Sequence, residues 1–320
     1  MTRIAVGIPA HNEAIHIVGC VGALLGQAGR GVDVVVVLSN NSNDETAERL
    51  RQAFGDDPRL DLREVSLPPV DAHVGWARRL AMDAAADHLR EGSDVLMTTD
   101  ADTIAARDWV EANLRHLQAG CQVVAGAAHL IRAERSQLPP AHRGRLSRVG
   151  KYLTALAYLR ADQAPLHDPW PRHDYEGGAS IALRLGTYRD VGGSPVLPTG
   201  EDRALFDAAR AHGAKVRHAT DARVFTSCRL TGRAYGGTAD TLELWGTLPD
   251  DEPAHGLSSL ASALDGRVPA SPLCFKELEP ELRRAQALIR ARRSRPSGLI
   301  RPSGAIGPGD MRLCAEPVRS

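Results

Sequence analysis

The sequence predicts an α/β protein: a doubly wound, mostly parallel sheet flanked by helices, followed by a smaller region and a loosely structured C-terminal tail. Three observations predict it. Short β-branched runs alternate with helical segments through the first half of the chain, the pattern of strand–helix–strand units. The run Val32–Leu38 is nearly continuous in apolar residues, as a strand buried on both faces must be. Polar or acidic clusters follow three of the predicted strands, and in such sheets ligands sit beyond the carboxyl ends of the strands.

Ile4–Ile8 reads as a strand, and Glu13–Gln27 as a helix with Ile17, Val21, Leu24 and Leu25 on its apolar side. After Val32–Leu38 comes a helix over Glu45–Phe54, with Asn43 or Asp44 placed to cap its orphan amides. Leu60–Leu67 alternates like a strand, and Gly75–Arg90 is a helix with Leu80, Ala84 and Leu89 inward. Asp94–Thr99 is a strand, Trp109–Leu117 a helix and Cys121–Ile131 a strand. After Ala133 the pattern loosens. A helix is expected over Leu146–Ala161, a Pro/Trp/His-rich loop over Pro165–Tyr175, a strand over Gly178–Leu185 and an amphipathic helix over Glu201–His212. Val216–His218 and Ala222–Thr226 read as two short strands. Nine arginines and two carboxylates fall between Arg283 and Ser320, a stretch read as disordered or loosely docked. The expected segments are 1–131, 132–248 and 249–320, the last a partly disordered C-terminal extension.

Composition excludes several classes. Of 320 residues, 43% are apolar and 24% charged, which is globular and neither disordered nor collagenous. The 39 basic and 39 acidic residues cancel, so a nucleic-acid partner is not expected. Only Lys151, Lys215 and Lys276 are lysines, leaving 36 arginines among the 39, the side chain suited to bidentate carboxylate and phosphate contacts. The five cysteines are scattered without CxxC or Cys/His spacing, which argues against a disulfide framework or structural zinc and for a cytoplasmic setting. No run approaches the roughly 18–20 apolar residues that cross a bilayer. No positive leader followed by an apolar core precedes the first strand, so a soluble protein without a transmembrane segment is expected.

Three motifs carry the chemistry. Ile8-Pro9-Ala10-His11-Asn12-Glu13 follows the first strand and opens a helix, whose N-terminal amides can receive an anion; an ordinary capped junction is the plain alternative. Ser39-Asn40-Asn41-Ser42-Asn43-Asp44-Glu45-Thr46 follows the second strand and offers hydrogen bonds to a ribose or base, or is simply a capped loop. No dinucleotide fingerprint or phosphate-binding P-loop occurs. Thr98-Thr99-Asp100-Ala101-Asp102 follows the Asp94 strand. Residues two apart in extended chain share a face, so both carboxylates can enter one cleft, where Mg²⁺ or Mn²⁺ would relieve their repulsion. A solvated acidic turn is the alternative.

In this order the motifs resemble glycosyltransferase family 2, which has the GT-A fold. The matching residues are Pro9 to Glu13, Ser42 to Thr46, Gly75-Trp76-Ala77-Arg78, and Asp100-Ala101-Asp102. Gly178-Ala179-Ser180 and Gly192-Gly193 resemble acceptor-side elements of the family, and Gly200-Glu201-Asp202 its Glu-Asp pair. The similarity runs from about residue 3 to 230, and it implies a nucleotide-sugar-binding half over 1–131 and an acceptor-binding and catalytic half over 132–248. The resemblance implies a nucleotide-sugar donor lined by Pro9, Ala10, Glu13 and Arg78, with Asp100 on ribose or metal, Asp102 on a divalent cation at the diphosphate, and Glu201-Asp202 as the catalytic pair, Asp202 being the general base of an inverting displacement. Most relatives carry Asp where Ser39 stands; Ser39 and Asn40 can still hydrogen-bond a base, without implying which one. The Gln-x-x-Arg-Trp signature of processive synthases is missing, which favours transfer of a single sugar to a small-molecule, lipid-linked or glycan acceptor.

Other residues carry two readings each. Trp170, with a face for a sugar ring, and Arg172 and His173, which can meet an anionic acceptor, lie in a loop before Gly178; the loop is equally a Pro-stiffened surface segment with Trp170 packed inward. His218 is a possible metal ligand or a structural histidine. Arg229 and Arg233 can clamp a diphosphate or stay solvated. Two rival functions remain at this point. A sugar-phosphate nucleotidyltransferase would want a Gly-rich, basic first loop, which Ile8–Glu13 lacks, and a silent sugar-nucleotide-binding protein would not need Asp100, Asp102, Glu201 and Asp202 together.

Overall fold

The valine run divides between two cores: Val35 and Val37 enter one apolar cluster, Val34 and Val36 another. Side chains of a strand alternate between faces, so a run apolar at every position fits only a strand covered on both sides. The computed structural model describes residues 2–233, 236–265 and 272–294. Two compact units divide the described residues, one drawn from 2–130, 175–227 and 232–237, the other from 131–174, 228–231 and 238–294.

The first unit opens with β1 (Ile4–Ala10), α1 (Ile17–Leu25), β2 (Val34–Asn40), α2 (Thr46–Phe54), β3 (Leu60–Val65), α3 (Val74–Ala86), β4 (Val95–Thr98), β5 (Thr103–Ala105), α4 (Trp109–Gln118) and β6 (Val123–Leu130). The chain then forms α5 (Arg132–Gln137) and α6 (Pro140–Arg160) of the second unit. It re-enters the first with β7 (Ile181–Arg184), α7 (Leu185–Asp190), α8 (Glu201–Ala211) and β8 (Val216–Thr226). The eight strands form one sheet in the order β3-β2-β1-β4-β7-β6-β8-β5. β1–β2, β2–β3, β1–β4 and β6–β8 pair in parallel, whereas β7 runs antiparallel to both β4 and β6, and β5 to β8. The sheet is therefore mixed, mostly parallel and flanked by helices, as expected. Helices α1, α2 and α4 supply Leu24, Leu50 and Trp109 to the core on one face; α3, α7 and α8 supply Met82, Tyr188 and Phe206 to the other. At Gly7 a Cβ would meet the Ala81 carbonyl oxygen at 2.5 Å, so glycine is what lets α3 lie this close to β1.

Sequence and structure differ at several elements. The first helix starts at Ile17, because Asn12 turns with φ 54° and the chain passes through a further turn before the helix begins. The two short strands expected at Val216–His218 and Ala222–Thr226 are one, β8; its register against β6 shifts between Gly126 and Ala127. β5 and α7 were not signalled, being of three and six residues, too short for a period to register.

The second unit continues with α9 (Thr238–Thr247), β9 (Pro253–Ser258), α10 (Leu260–Leu264), β10 (Pro272–Cys274) and α11 (Phe275–Ser294). Its core joins Tyr152, Leu156 and Leu159 of α6 to Leu278, Leu282, Ala285 and Ile289 of α11. The stretch from Arg283 to Ser294, expected to be disordered or loosely docked, is instead the last part of α11, anchored by Ala285 and Ile289. The remainder of the expected tail, 295–320 with Cys314, lies outside the described residues. No helix among the described residues is long and apolar enough to cross a membrane.

Candidate active site

β1, β2 and β4 are parallel neighbours, so their carboxyl ends open on one edge of the sheet. The pairing of β1 with β4 ends at Gly7–Thr98, before Pro9, whose missing N–H therefore costs that ladder nothing. β7 runs the other way, with Ile181 opposite Thr98, which brings Gly178 to Ser180 to the same edge. The Thr99 hydroxyl fastens this approach by donating to the Ala179 carbonyl at 2.7 Å. Antiparallel pairing thus unites residue types that the sequence spaces about eighty positions apart.

Arg78, on α3 and 2% exposed, lies at the centre of this edge. Its guanidinium donates from Nε to Glu201 Oε1 at 3.0 Å, from Nη1 to Thr98 Oγ1 at 3.2 Å and to the Gly178 carbonyl at 3.3 Å, and from Nη2 to Asp100 Oδ1 at 2.8 Å. Burial opposes the charge, but Asp100 and Glu201 outweigh it and raise the guanidinium pKa still further. Arg78, expected to line the nucleotide pocket, spends these donors on protein acceptors. Glu201, 4% exposed, is its buried counter-ion. Asp202 follows on the first turn of α8, half-buried; its Oδ2 accepts from the Gly178 amide at 2.9 Å and its Oδ1 from the Arg203 amide at 2.7 Å. Asp100, Glu201, Asp202 and Gly178 are therefore brought together around one guanidinium.

The first two motifs bind each other. The Asn12 amide donates to Ser42 Oγ at 3.1 Å, the Asn43 amide to Asn12 Oδ1 at 2.8 Å, and the Glu13 amide to Thr46 Oγ1 at 2.8 Å. Asp44 accepts from the Thr46 amide at 3.0 Å and from the Ala14 amide at 3.1 Å; α2 starts at Thr46, so its cap position falls on Glu45, not on Asn43 or Asp44 as expected, and the Glu45 side chain does not cap it. Burial works against the Asp44 charge, but hydrogen bonds from the Thr46 hydroxyl and from the Ala14 and Thr46 amides, with the Arg233 charge, hold its pKa below the ordinary value. Arg233 itself is exposed. Ala10, Glu13, Ser39 and Asn40 are buried at the ends of β1 and β2, with Pro9 half-buried beside them; the Ser39 hydroxyl donates to Ser42 Oγ at 3.0 Å, and His11 Nδ1 to the Asn40 carbonyl at 2.9 Å.

Asp102 lies two residues beyond Asp100. The Thr226 hydroxyl approaches its Oδ1 at 3.4 Å and the Thr103 hydroxyl at 3.5 Å, both long for a hydrogen bond to a carboxylate. Beneath this loop Cys20 donates its thiol to the Asp100 carbonyl at 3.4 Å; burial, with Asp102 and Asp100 nearby, pushes its pKa far up, so it is an inert core thiol. No group of three or more His, Cys, Asp or Glu converges as a metal cage among the described residues. Two carboxylates on one short loop fit a hard cation differently: as the protein's share of a coordination sphere that phosphate oxygens and water complete. His218 turns Nε2 to Glu176 Oε1 at 2.8 Å, and Arg210 of α8 pairs with the same carboxylate. Glu176 escaped the sequence reading; an acid directly before Gly177-Gly178 was the available signal.

In the second unit, Trp170 packs edge-on against Tyr158 with ring centroids 5.0 Å apart, the inward alternative of the sequence reading. Arg172 pairs with the buried Asp168 at 3.0 Å and with Asp174 at 2.9 Å, and His173 is half-buried beside it. Arg229 is half-buried, also in this unit.

A family model described as glycosyl transferase family 2 matches residues 5–172. No curated protein matches the chain. Among solved structures, the Staphylococcus aureus TarS fragment 1–349 in complex with UDP superposes with a TM-score of 0.51 at 13% identity, covering 75% of this chain and 69% of that one. At that identity it speaks for the fold. A Pyrobaculum calidifontis mannosyltransferase with GDP-mannose and Mn²⁺ gives a TM-score of 0.49 at 18% identity, covering 92% and 76%. Glucosyl-3-phosphoglycerate synthase of Mycobacterium tuberculosis, with Mn²⁺, UDP-glucose and phosphoglyceric acid, gives 0.42 at 20% identity, covering 86% and 88%.

Proposed function

The chain belongs to glycosyl transferase family 2 and is a nucleotide-sugar glycosyltransferase; from that premise we propose that it moves one sugar, with inversion and with the aid of a divalent cation, to a hydroxyl of a small-molecule, lipid-linked or glycan acceptor. The observation that carries the reading is the meeting of Asp100 and Asp202 at Arg78 and Gly178, one from the end of β4 and one from the start of α8. A donor whose diphosphate lies against the Asp100 loop then has a carboxylate within the same edge of the sheet.

In this reading Pro9, Ala10, Glu13, Ser39, Asn40 and Asp100 line the donor, and Asp100 and Asp102 hold Mg²⁺ or Mn²⁺. Bound with the diphosphate, the cation supplies neutralisation of the charge that grows on the leaving phosphate. Asp202 accepts the proton of the acceptor hydroxyl as its oxygen bonds to the anomeric carbon and the nucleoside diphosphate departs, a general-base role. Both Asp202 oxygens take a backbone amide, which fixes the carboxylate while leaving lone pairs for the incoming hydroxyl. Segments 1–131 and 132–248 keep their assignment to donor and acceptor, and Trp170, Arg172 and His173 theirs to the acceptor side. The cytoplasmic setting belongs to the same proposal. No observation favours a nucleotidyltransferase or a silent binding protein.

The test is a panel of nucleotide sugars screened by thermal shift with and without Mn²⁺, since a ligand that binds the native state raises its stability by mass action. The stabilising donor is then assayed with Asp202→Asn. Expected are unchanged donor affinity and a loss of turnover of about 10²- to 10⁴-fold, the usual worth of a general base. Full turnover in that variant removes Asp202 as the base.

A further inference from the structure

Resting on the reading of Asp202 as base, we infer that Arg78 is a positioning residue: it sets the Gly178 peptide, and through that peptide's amide it aims the Asp202 carboxylate, without touching the donor. The Gly178 peptide is gripped at both ends. Its carbonyl accepts from Arg78 Nη1 at 3.3 Å and its amide donates to Asp202 Oδ2 at 2.9 Å. The same guanidinium holds Asp100 through Nη2 and Glu201, the chain neighbour of Asp202, through Nε. One rigid planar group thus fixes the donor-side carboxylate and, by a single peptide, the base. A lysine carries the charge but has no fork to reach three directions at once.

Space at Gly178 points the same way. A Cβ there would meet Arg78 Nη2 at 2.1 Å and Cζ at 2.4 Å, so any side chain expels the guanidinium from its seat. Just upstream, Glu176 is held by His218 of β8 and Arg210 of α8, which anchors the approach to the Gly178 peptide.

Arg78→Lys and Gly178→Ala test this. The probes are UDP and GDP in chelator by calorimetry, where the hold of Arg78 on Asp100 does not act through a bound cation, turnover of the stabilising nucleotide sugar, and the ¹⁵N–¹H resonance of the residue-178 amide, with Asp202→Ala marking where that resonance moves once its carboxylate partner is lost. Expected are nucleotide affinities within about twofold of the parent, turnover lower by about 100-fold as misplacement costs, and a residue-178 amide resonance displaced toward its Asp202→Ala position. A nucleotide affinity weakened tenfold in Arg78→Lys places Arg78 on the donor and overturns the inference. So does a residue-178 amide resonance that stays at the parent position. If Arg78→Lys does not fold, Gly178→Ala carries the same affinity and turnover measurements, with its residue-178 amide read against the Gly178→Ala/Asp202→Ala double variant; loss of fold in both reduces Arg78 to a structural cross-link and also overturns it. Full turnover in Asp202→Asn instead sinks the base reading, whatever the amide resonance does.

Discussion

The Gly178 amide donates to Asp202 Oδ2 at 2.9 Å, joining the residues just before β7 to the first turn of α8. Glu201, one position earlier, turns to Arg78 and is buried. Two adjacent acids thus occupy different environments, and substitutions should separate them.

Glu201→Ala leaves the Arg78 guanidinium buried with Asp100 as its remaining carboxylate. Breaking a buried ion pair from one side costs about 3–5 kcal/mol. Asp202→Asn can keep its oxygen on the buried Gly178 amide and leaves only the exposed Arg203 amide to water, so it should cost about 1 kcal/mol, the net worth of one hydrogen bond. Urea unfolding of the two variants checks the contrast; equal losses would mean that Asp202 is structural as well.

Asp102→Ala should weaken Mn²⁺-dependent binding of UDP or GDP by tenfold or more and leave binding in chelator unchanged. The reasoning is chemical: the loop offers carboxylate oxygens, and the diphosphate must complete the sphere. Calorimetry with Mn²⁺ and with chelator reads both arms. Affinity that is unaltered with Mn²⁺ would count against Asp102 as a ligand.

Much of the sheet was legible because its signals are local. The Val32–Leu38 run showed burial on two faces, and β2 divides its valines accordingly. The Asp100-Ala101-Asp102 loop was legible as a strand-end motif. The direction of β7 was not, since pairing is set by contacts distant in sequence, and it is this direction that carries Gly178 to Asp202. The four acceptors of Arg78 were hidden for the same reason. α11 was readable but missed: Phe275, Leu278, Leu282, Ala285 and Ile289 form a helical stripe, masked by Pro280 and by the arginines between them.

Trp170 was ambiguous in sequence because a tryptophan face serves a sugar ring or a core equally well. Its edge-on packing against Tyr158 predicts that Trp170→Ala lowers stability by about 2 kcal/mol, less than a fully buried aromatic because the ring is half-buried. Thermal unfolding reads this directly. A melting temperature unchanged from the parent would return Trp170 to the acceptor side alone.

Asp94 provides a pH-dependent handle away from the site. Its Oδ1 accepts from the Arg3 amide at 2.8 Å, and its Oδ2 from the Arg90 and Glu91 amides at 2.9 and 3.0 Å, fastening the start of β1 to the turn before β4. Burial works to raise its pKa, but the three amides outweigh it and hold the carboxyl below its ordinary 3.8. A carboxyl with a depressed folded pKa stabilises the native state fully above its unfolded value and loses that contribution as pH falls through the folded one. Asp94→Asn must turn an NH₂ toward at least one amide donor, so at neutral pH it should lose about 1–3 kcal/mol, the cost of a buried donor left unpaired. The gap between parent and variant should narrow once pH drops below 3.8, because the parent then protonates the same carboxyl. Urea midpoints measured from pH 7 down to the acid limit of folding test the sign, and a gap that widens on acidification would show that the charge of Asp94 is not what the three amides hold.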